Sequence, residues 1–212
     1  MDGCTVLRAC ICGHSYVKRL YNQCQSRDDM DIQLNLNQCN ITWVYQGGWT
    51  WDKFKDQQSG LPSIIQNQPD IVFCQLGSND LDGPTDPYVL AHRAINIAKD
   101  LLQANIGIVI LAEAIERGAV RDKDLTVDQY NAKVRAYNSA LKSELIDCTK
   151  PRSSTDRFLN YNLWYWDHLR MRHSTMPLLA ADLVHLSDHP GLTRFYRSVR
   201  LAIMQAARSL NY

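Results

Sequence analysis

The 212-residue chain predicts an α/β fold, a parallel sheet with helices on both faces. Three observations predict it. Short apolar runs alternate with amphipathic stretches along the whole chain. That strand-then-helix pairing repeats five times. One run, Ile106–Ala112, is apolar throughout, as a strand covered on both faces must be.

Each element has its own justification. Val6–Cys12 reads as a buried strand and Tyr16–Gln25 as the helix after it. Ile41–Tyr45 is rich in β-branched and aromatic residues, which suit a strand. Thr50–Ser59 and Pro62–Asn67 read as a helical connection broken by Gly60. Ile71–Leu76 is the third strand, entered after Pro69. Pro87–Ala104 is an amphipathic helix, with Ala91, Ala94, Ile95, Ala98, Leu101 and Leu102 at three- and four-residue spacing. Ile106–Ala112 is the fourth strand, Val127–Asp147 the longest helix and Phe158–Leu163 the fifth strand. Leu192–Ser209 closes the chain as a helix, with Ser187 or Asp188 near its start and Pro190 suited to a first turn.

The length suits one ordinary domain over residues 1–212, with no repeat, low-complexity tract or linker. Hydrophobic residues at 45% and charged residues at 21% exclude disorder. A net charge of +1 supplies no global field to recruit nucleic acid or an anionic membrane. Residues 150–212 nevertheless hold nine Lys/Arg against four Asp/Glu, including Arg194, Arg197, Arg200 and Arg208. That excess reads first as a solvated helix face and second as a weak anionic-partner surface. The first residues lack a signal-peptide pattern, Gly3 stands one place late for myristoylation, and no run approaches a membrane span. The seven cysteines are odd in number and scattered, without a C-x-x-C pair, so they read as reduced packing thiols of an intracellular, cytoplasmic protein. Their spacing supports no zinc site, and no cofactor is expected.

In a parallel sheet, ligands sit beyond the carboxyl ends of the strands. After the first strand comes Gly13-His14-Ser15, after the second Gly47-Gly48-Trp49-Thr50, and after the third Gly77-Ser78-Asn79-Asp80. Near the chain end lies Asp182-Leu183-Val184-His185. These residue types fit acyl transfer. A serine hydroxyl needs a base to take its proton, and the base needs a carboxylate to hold its tautomer. The developing oxyanion needs preorganised donors. Ser15 fits the nucleophile and offers its own backbone N–H. Gly48 fits a second N–H donor because no Cβ blocks the approach, with Gly47 as the alternative. Asn79 offers a side-chain amide. Asp182 and His185 are close enough in sequence to share one turn.

This set resembles the SGNH (GDSL-like) hydrolases, named for Ser, Gly, Asn and His in four blocks. Gly77–Asp80 matches the third block and Asp182–His185 the last, with Gly191 in its usual flank. The first block departs from the usual Gly-Asp-Ser, because His14 stands where Asp is usual; His14 either tunes the site or fills space. The resemblance implies a flavodoxin-like three-layer α/β/α sandwich with a five-stranded parallel sheet. It also implies a serine esterase acting through an acyl-enzyme, with Ser15 as nucleophile, His185 as base and Asp182 as orienting carboxylate. Ser15, Gly48 and Asn79 would form the oxyanion hole, with no metal. Residues 13–20 and 195–203 resemble esterase-type domains of animal mobile-element proteins, which implies an origin within a longer polyprotein. The expected partner is a small-molecule or lipid ester, short-chain acyl or acetyl in kind, with no clear nucleic-acid binding and an unspecified oligomeric state.

Rival readings sit beside these. The fold could serve as a weakly active or inactive binding or scaffold domain, which a fluorophosphonate probe would discriminate. A dinucleotide-binding domain needs Gly-x-Gly-x-x-Gly after the first strand, and residues 13–18 lack it. An α/β-hydrolase needs Gly-x-Ser-x-Gly, and position 17 is Val. His189, beside Pro190, is the rival base but suits a structural role. Cys12 suits a buried inert thiol. Trp49 and Trp51 read equally as walls of an acyl pocket or as core. Trp164 and Trp166 read as packing residues, and Asp80 as the brace of the loop that follows it.

Overall fold

The structure is a computed structural model that describes residues 6–34, 39–147, 162–169, 171 and 177–211. Its strands are β1 (Leu7–Gly13), β2 (Cys39–Tyr45), β3 (Ile71–Gln75), β4 (Ile108–Ala112), β5 (Ile146–Asp147) and β6 (Leu163–Trp166). Its helices are α1 (Ser15–Ser26), α2 (Trp51–Asp56), α3 (Leu61–Asn67), α4 (Ser78–Leu81), α5 (Pro87–Gln103), α6 (Val127–Glu144) and α7 (Thr193–Ser209). All ladders between the strands are parallel, in the order β2-β1-β3-β4-β6-β5. This is the flavodoxin-like order, with the expected five strands and the two-residue β5 added at one edge.

The sheet separates two apolar layers. Beneath one face, α1 and α7 pack Tyr16, Val17, Leu20, Phe195, Val199 and Ile203 onto Ile11, Phe73 and Ile110. Above the other, α2, α3, α5 and α6 pack Trp51, Phe54, Ile95, Val134 and Tyr137 onto Cys12, Val72 and Val109. The buried positions of α7, from Phe195 to Ala207, recur every three or four residues, the spacing of one helical face. Central strands β3 and β4 are buried at every position, which is why they read as apolar runs, with Gln75 at the end of β3 the one polar residue.

Three expected boundaries shift. The longest helix stops at Glu144, because Leu145 turns to extended backbone, and Ile146–Asp147 then pairs with Trp164 and Tyr165. The fifth expected strand runs later, at Leu163–Trp166; positions 158–161 lie outside the described residues. Its Trp164 and Trp166 are core residues on opposite sides of Tyr165 in sequence, both nearly inaccessible. Before α7, residues 188–192 form an irregular turn in which His189 is extended (φ −146°, ψ 129°), and the Gly191 N–H donates to the Ser187 hydroxyl at 3.1 Å. Among the described residues, no helix is long and apolar enough to cross a membrane.

Candidate active site

The strand order explains how separated blocks meet. β1 lies between β2 and β3, so Gly13 pairs with Tyr45 on one side and Gln75 on the other. The loops leaving these three strands therefore emerge side by side. Gly13 is required by this crowding, since a Cβ there would stand 2.5 Å from the Gln75 carbonyl oxygen and 2.7 Å from Val17 Cγ2. His14 N–H donates to Gln75 O at 3.3 Å, and Gln46 N–H donates to Gly13 O at 3.2 Å, which lashes the first block to both neighbours.

Ser15 is the first residue of α1, so its N–H has no acceptor within the helix and the positive end of the helix dipole falls on it. Ser15, Gly47, Gly48 and His185 line one open cleft of about 540 Å³. Gly48 has φ +78°, a left-handed conformation that favours glycine. A Cβ at Gly48 would meet nothing within 4 Å. The backbone conformation therefore gives a reason for glycine here in addition to the open approach to its N–H.

The last block is a tight hydrogen-bonded loop. Asp182 Oδ1 accepts from the N–H of Val184 at 3.0 Å and of His185 at 2.9 Å. Its Oδ2 accepts from His185 Nδ1–H at 2.6 Å. The backbone N–H and imidazole of His185 hold the Asp182 carboxyl well below the usual carboxylate range. With Nδ1 donating, Nε2 is the nitrogen left to accept a proton. Leu183, between the two, adopts φ +56°, a conformation uncommon for leucine. Its carbonyl is clamped by the N–H groups of Gly118 at 2.8 Å and Ala119 at 3.2 Å.

Two groups outside the sequence reading position this machinery. Tyr16, next to Ser15, is fully buried and its hydroxyl donates to Val184 O at 2.8 Å, so the residue beside one block fastens the residue beside the other. Arg117 is buried between α4 and α6. Its Nη1 pairs with Asp82 at 3.0 Å, and its Nη2 donates to Asn79 Oδ1 at 3.3 Å. Because Arg donates only, Asn79 must present its amide nitrogen on the other side, where Nδ2 donates to Trp49 O at 2.9 Å. Neither contact was legible from spacing.

The remaining candidates fall as follows. Ser15 Oγ lies 3.5 Å from His14 Nδ1, and no hydrogen bond joins it to His185. His14 is fully buried, and burial first, with Arg117 next, pushes its imidazole down to about 3. His189 Nδ1 lies 3.4 Å from Thr193 Oγ1, outside the cleft lining. Cys12 is buried with its Sγ 3.2 Å from Cys74 Sγ, and burial pushes its thiol well up. Trp49 and Trp51 belong to the core and do not line the cleft. Asp80 braces the second block, with both its oxygens facing Trp51 N–H at 3.1 and 3.3 Å, rather than the loop after it. Asp82 holds that loop, accepting from the N–H of Arg121 and Asp122. Among the described residues, no group of three His, Cys, Asp or Glu is placed to hold a metal.

Comparison with known proteins bears on the fold and the family. In fold, the chain is similar to an acetyl esterase, a mutant form solved with an acetate ion, at TM-score 0.64 and 15% identity over 97% of this chain and 100% of that one. It is similar to a carbohydrate esterase family 3 protein from Talaromyces cellulolyticus, at TM-score 0.64 and 14% identity over 96% and 99%. It is also similar to a GDSL-like lipase from Bacteroides thetaiotaomicron, at TM-score 0.60 and 16% identity over 94% and 88%. A comparison with curated proteins found no match. The family model of the GDSL-like lipases/acylhydrolases matches residues 3–189. The chain belongs to the GDSL-like lipase/acylhydrolase family and is an ester hydrolase of the SGNH type.

Proposed function

We propose that this chain is a serine esterase that hydrolyses short-chain acyl or acetyl carboxylic esters through an acyl-enzyme. The observation that carries the reading is the 2.6 Å pair of Asp182 Oδ2 and His185 Nδ1, on a histidine that lines the same cleft as Ser15. Ser15 Oγ attacks the acyl carbon while His185 Nε2 takes its proton. The C–O bond to the alcohol then breaks, and the departing oxygen takes that proton from Nε2. A water molecule repeats the sequence on the acyl-enzyme, giving the free acid and restoring Ser15. The tetrahedral oxyanion accepts from the N–H groups of Ser15 and Gly48 and from the second Nδ2 hydrogen of Asn79.

The 3.5 Å separation of Ser15 Oγ from His14 Nδ1 places the hydroxyl toward His14. A change of Ser15 rotamer turns it toward His185, since such bonds tighten on substrate binding. Among the described residues no long lid insertion covers the cleft, which suits small acyl groups. The test is Ser15→Ala together with a fluorophosphonate probe. Wild type should hydrolyse nitrophenyl acetate and take the probe at Ser15; the variant should do neither while keeping its fold. Hydrolysis by the purified variant at the wild-type rate would remove Ser15 from the mechanism.

A further inference from the structure

The cleft beside Ser15 carries an unbalanced charge. Among the described residues, its lining includes Lys18, Arg19 and Arg121 and no carboxylate. Two of these come from α1, where positions 15, 18, 19 and 22 share one helical face and all meet the cleft. Arg121 comes from the loop between β4 and α6, where Asp82 fixes its backbone. Their arrangement differs from that of basic residues elsewhere. Arg8, Lys55, Arg93 and Arg135 each pair with a carboxylate on the surface. Among the described residues, Lys18 and Arg121 pair with none. Arg19 is held by the Leu186 carbonyl at 3.1 Å, which fixes the guanidinium without neutralising it.

Among the described residues, no carboxylate in the cleft lining offsets these charges. His14, directly under Ser15, is uncharged. Asp82 is spent on Arg117. Asp182 meets His185 on its Nδ1 side and stays outside the cleft lining. The N-terminus of α1 adds its partial positive charge at Ser15. A second hollow of about 520 Å³ continues along α1 past Arg19 and Asn22 to Arg27, and there Asp188 supplies a balancing acid. The excess is therefore concentrated next to the reacting hydroxyl.

We propose that this cleft selects esters that carry an anionic group, a carboxylate or a phosphate, within a few bonds of the scissile ester. Lys18 and Arg121, from two different elements of the lining, grip the anion while the ester lies against Ser15. The inference rests on the esterase reading above, and its test separates the two.

Matched substrates supply the test: mono-nitrophenyl adipate, with a terminal carboxylate, against nitrophenyl hexanoate, of equal length and neutral. On the alcohol side, acetyl esters of phenols bear a para-methylene carrying carboxylate, phosphate, methylamide or trimethylammonium. At low ionic strength, kcat/KM for the anionic members should exceed the neutral ones by about tenfold, the order expected of two partly exposed charge contacts. The advantage should shrink steeply by ~0.5 M salt. The carboxylate and phosphate arms distinguish the two sources of charge. Lys18→Glu and Arg121→Glu, singly and together, should invert the ranking in favour of the trimethylammonium ester, which loss of a merely structural contact would not do. Equal rates for neutral and anionic esters, unmoved by salt, would overturn the charge selection and leave the esterase intact. Hydrolysis of none of them, with no fluorophosphonate labelling, would overturn both.

Discussion

Replacing Asp182 by Asn tests the heart of the site, because it changes a tautomer and little else. Asn Oδ1 can still accept the backbone N–H groups of Val184 and His185, which lie 3.0 and 2.9 Å from the carboxylate oxygen. The amide nitrogen then faces His185 Nδ1, where the carboxylate stood at 2.6 Å. A donor in that place makes Nδ1 the acceptor and moves the imidazole proton to Nε2, which can no longer take the Ser15 proton. The wrong tautomer is expected to lower kcat by about 10⁴ with the loop intact. The stability cost is small: the Asp182 side chain is 46% exposed, so solvent screening holds the lost charge interactions to under about 1 kcal/mol at pH 7. The sign of its pH dependence follows from the depressed carboxyl. Such a group stabilises the fold above its unfolded value of about 3.9, and that stabilisation is lost as pH falls toward the native value. The difference in stability between wild type and variant should therefore shrink below pH ~4. Single-turnover release of nitrophenol and thermal melts across pH measure both quantities. Retention of more than roughly a tenth of the wild-type kcat at neutral pH would show that Asp182 does not orient the base.

Asn79→Ala should lower kcat by roughly 10²–10³ with a much smaller change in KM, because its amide meets charge that exists only near the transition state; a rise in KM alone would make it a substrate-binding residue. His185→Ala should lose most of the rate and His189→Ala little, since only His185 lines the cleft; the opposite pattern would exchange their roles. Glu113→Gln should flatten the decline of stability with rising pH. Burial, then the Asp167 charge, pushes Glu113 up to about 8, so between pH ~4.3 and 8 the native state holds a proton that the unfolded chain releases, and stability falls across that window. Part of the decline should persist in the variant, because burial also raises Asp80 to about 7. Melting curves at pH 5 and 8.5 with the same slope in both proteins would place Glu113 in no such role.

What the sequence made legible is what depends on local pattern. β3 and β4 announce themselves because both faces are buried, and α7 because its apolar positions keep helical spacing. The four blocks could be seen because each is short and lies at a strand end or in a turn. What joins the blocks was not legible. The Tyr16–Val184 bond spans 168 positions, and the Arg117 contacts to Asp82 and Asn79 span 35 and 38. A buried arginine looks, in sequence, like any arginine in a polar loop. Trp49 and Trp51 flank the second block, but the backbone turns both rings into the core, where Trp51 Nε1–H finds the Tyr137 hydroxyl at 3.2 Å. The Leu163–Trp166 strand is hard to place from sequence because a short aromatic run marks packing without marking which element packs it.

The substitution at position 14 follows from how the site distributes charge. A buried carboxylate there would have Arg117 as its nearest partner, but that guanidinium already pairs with Asp82 at 3.0 Å, with both side chains almost inaccessible. Asp82 is itself satisfied twice over by the N–H groups of Arg121 and Asp122. Position 14 is therefore free of any duty to neutralise Arg117, and a protonated histidine is equally excluded, because burial and the Arg117, His185 and Arg121 charges all oppose it. What fits is a neutral ring, 4.8 Å from the Tyr16 ring, with Nδ1 toward Ser15 and Nε2 unpartnered. Leaving that nitrogen unpartnered costs roughly 1–3 kcal/mol relative to a satisfied group. In exchange, no negative charge lies under Ser15. The basic lining of Lys18, Arg19 and Arg121 then faces the cleft without a carboxylate at position 14. On the proposed reading, the departure at position 14 bears on the charge beside Ser15 and leaves the proposed proton transfer between Ser15 and His185 untouched.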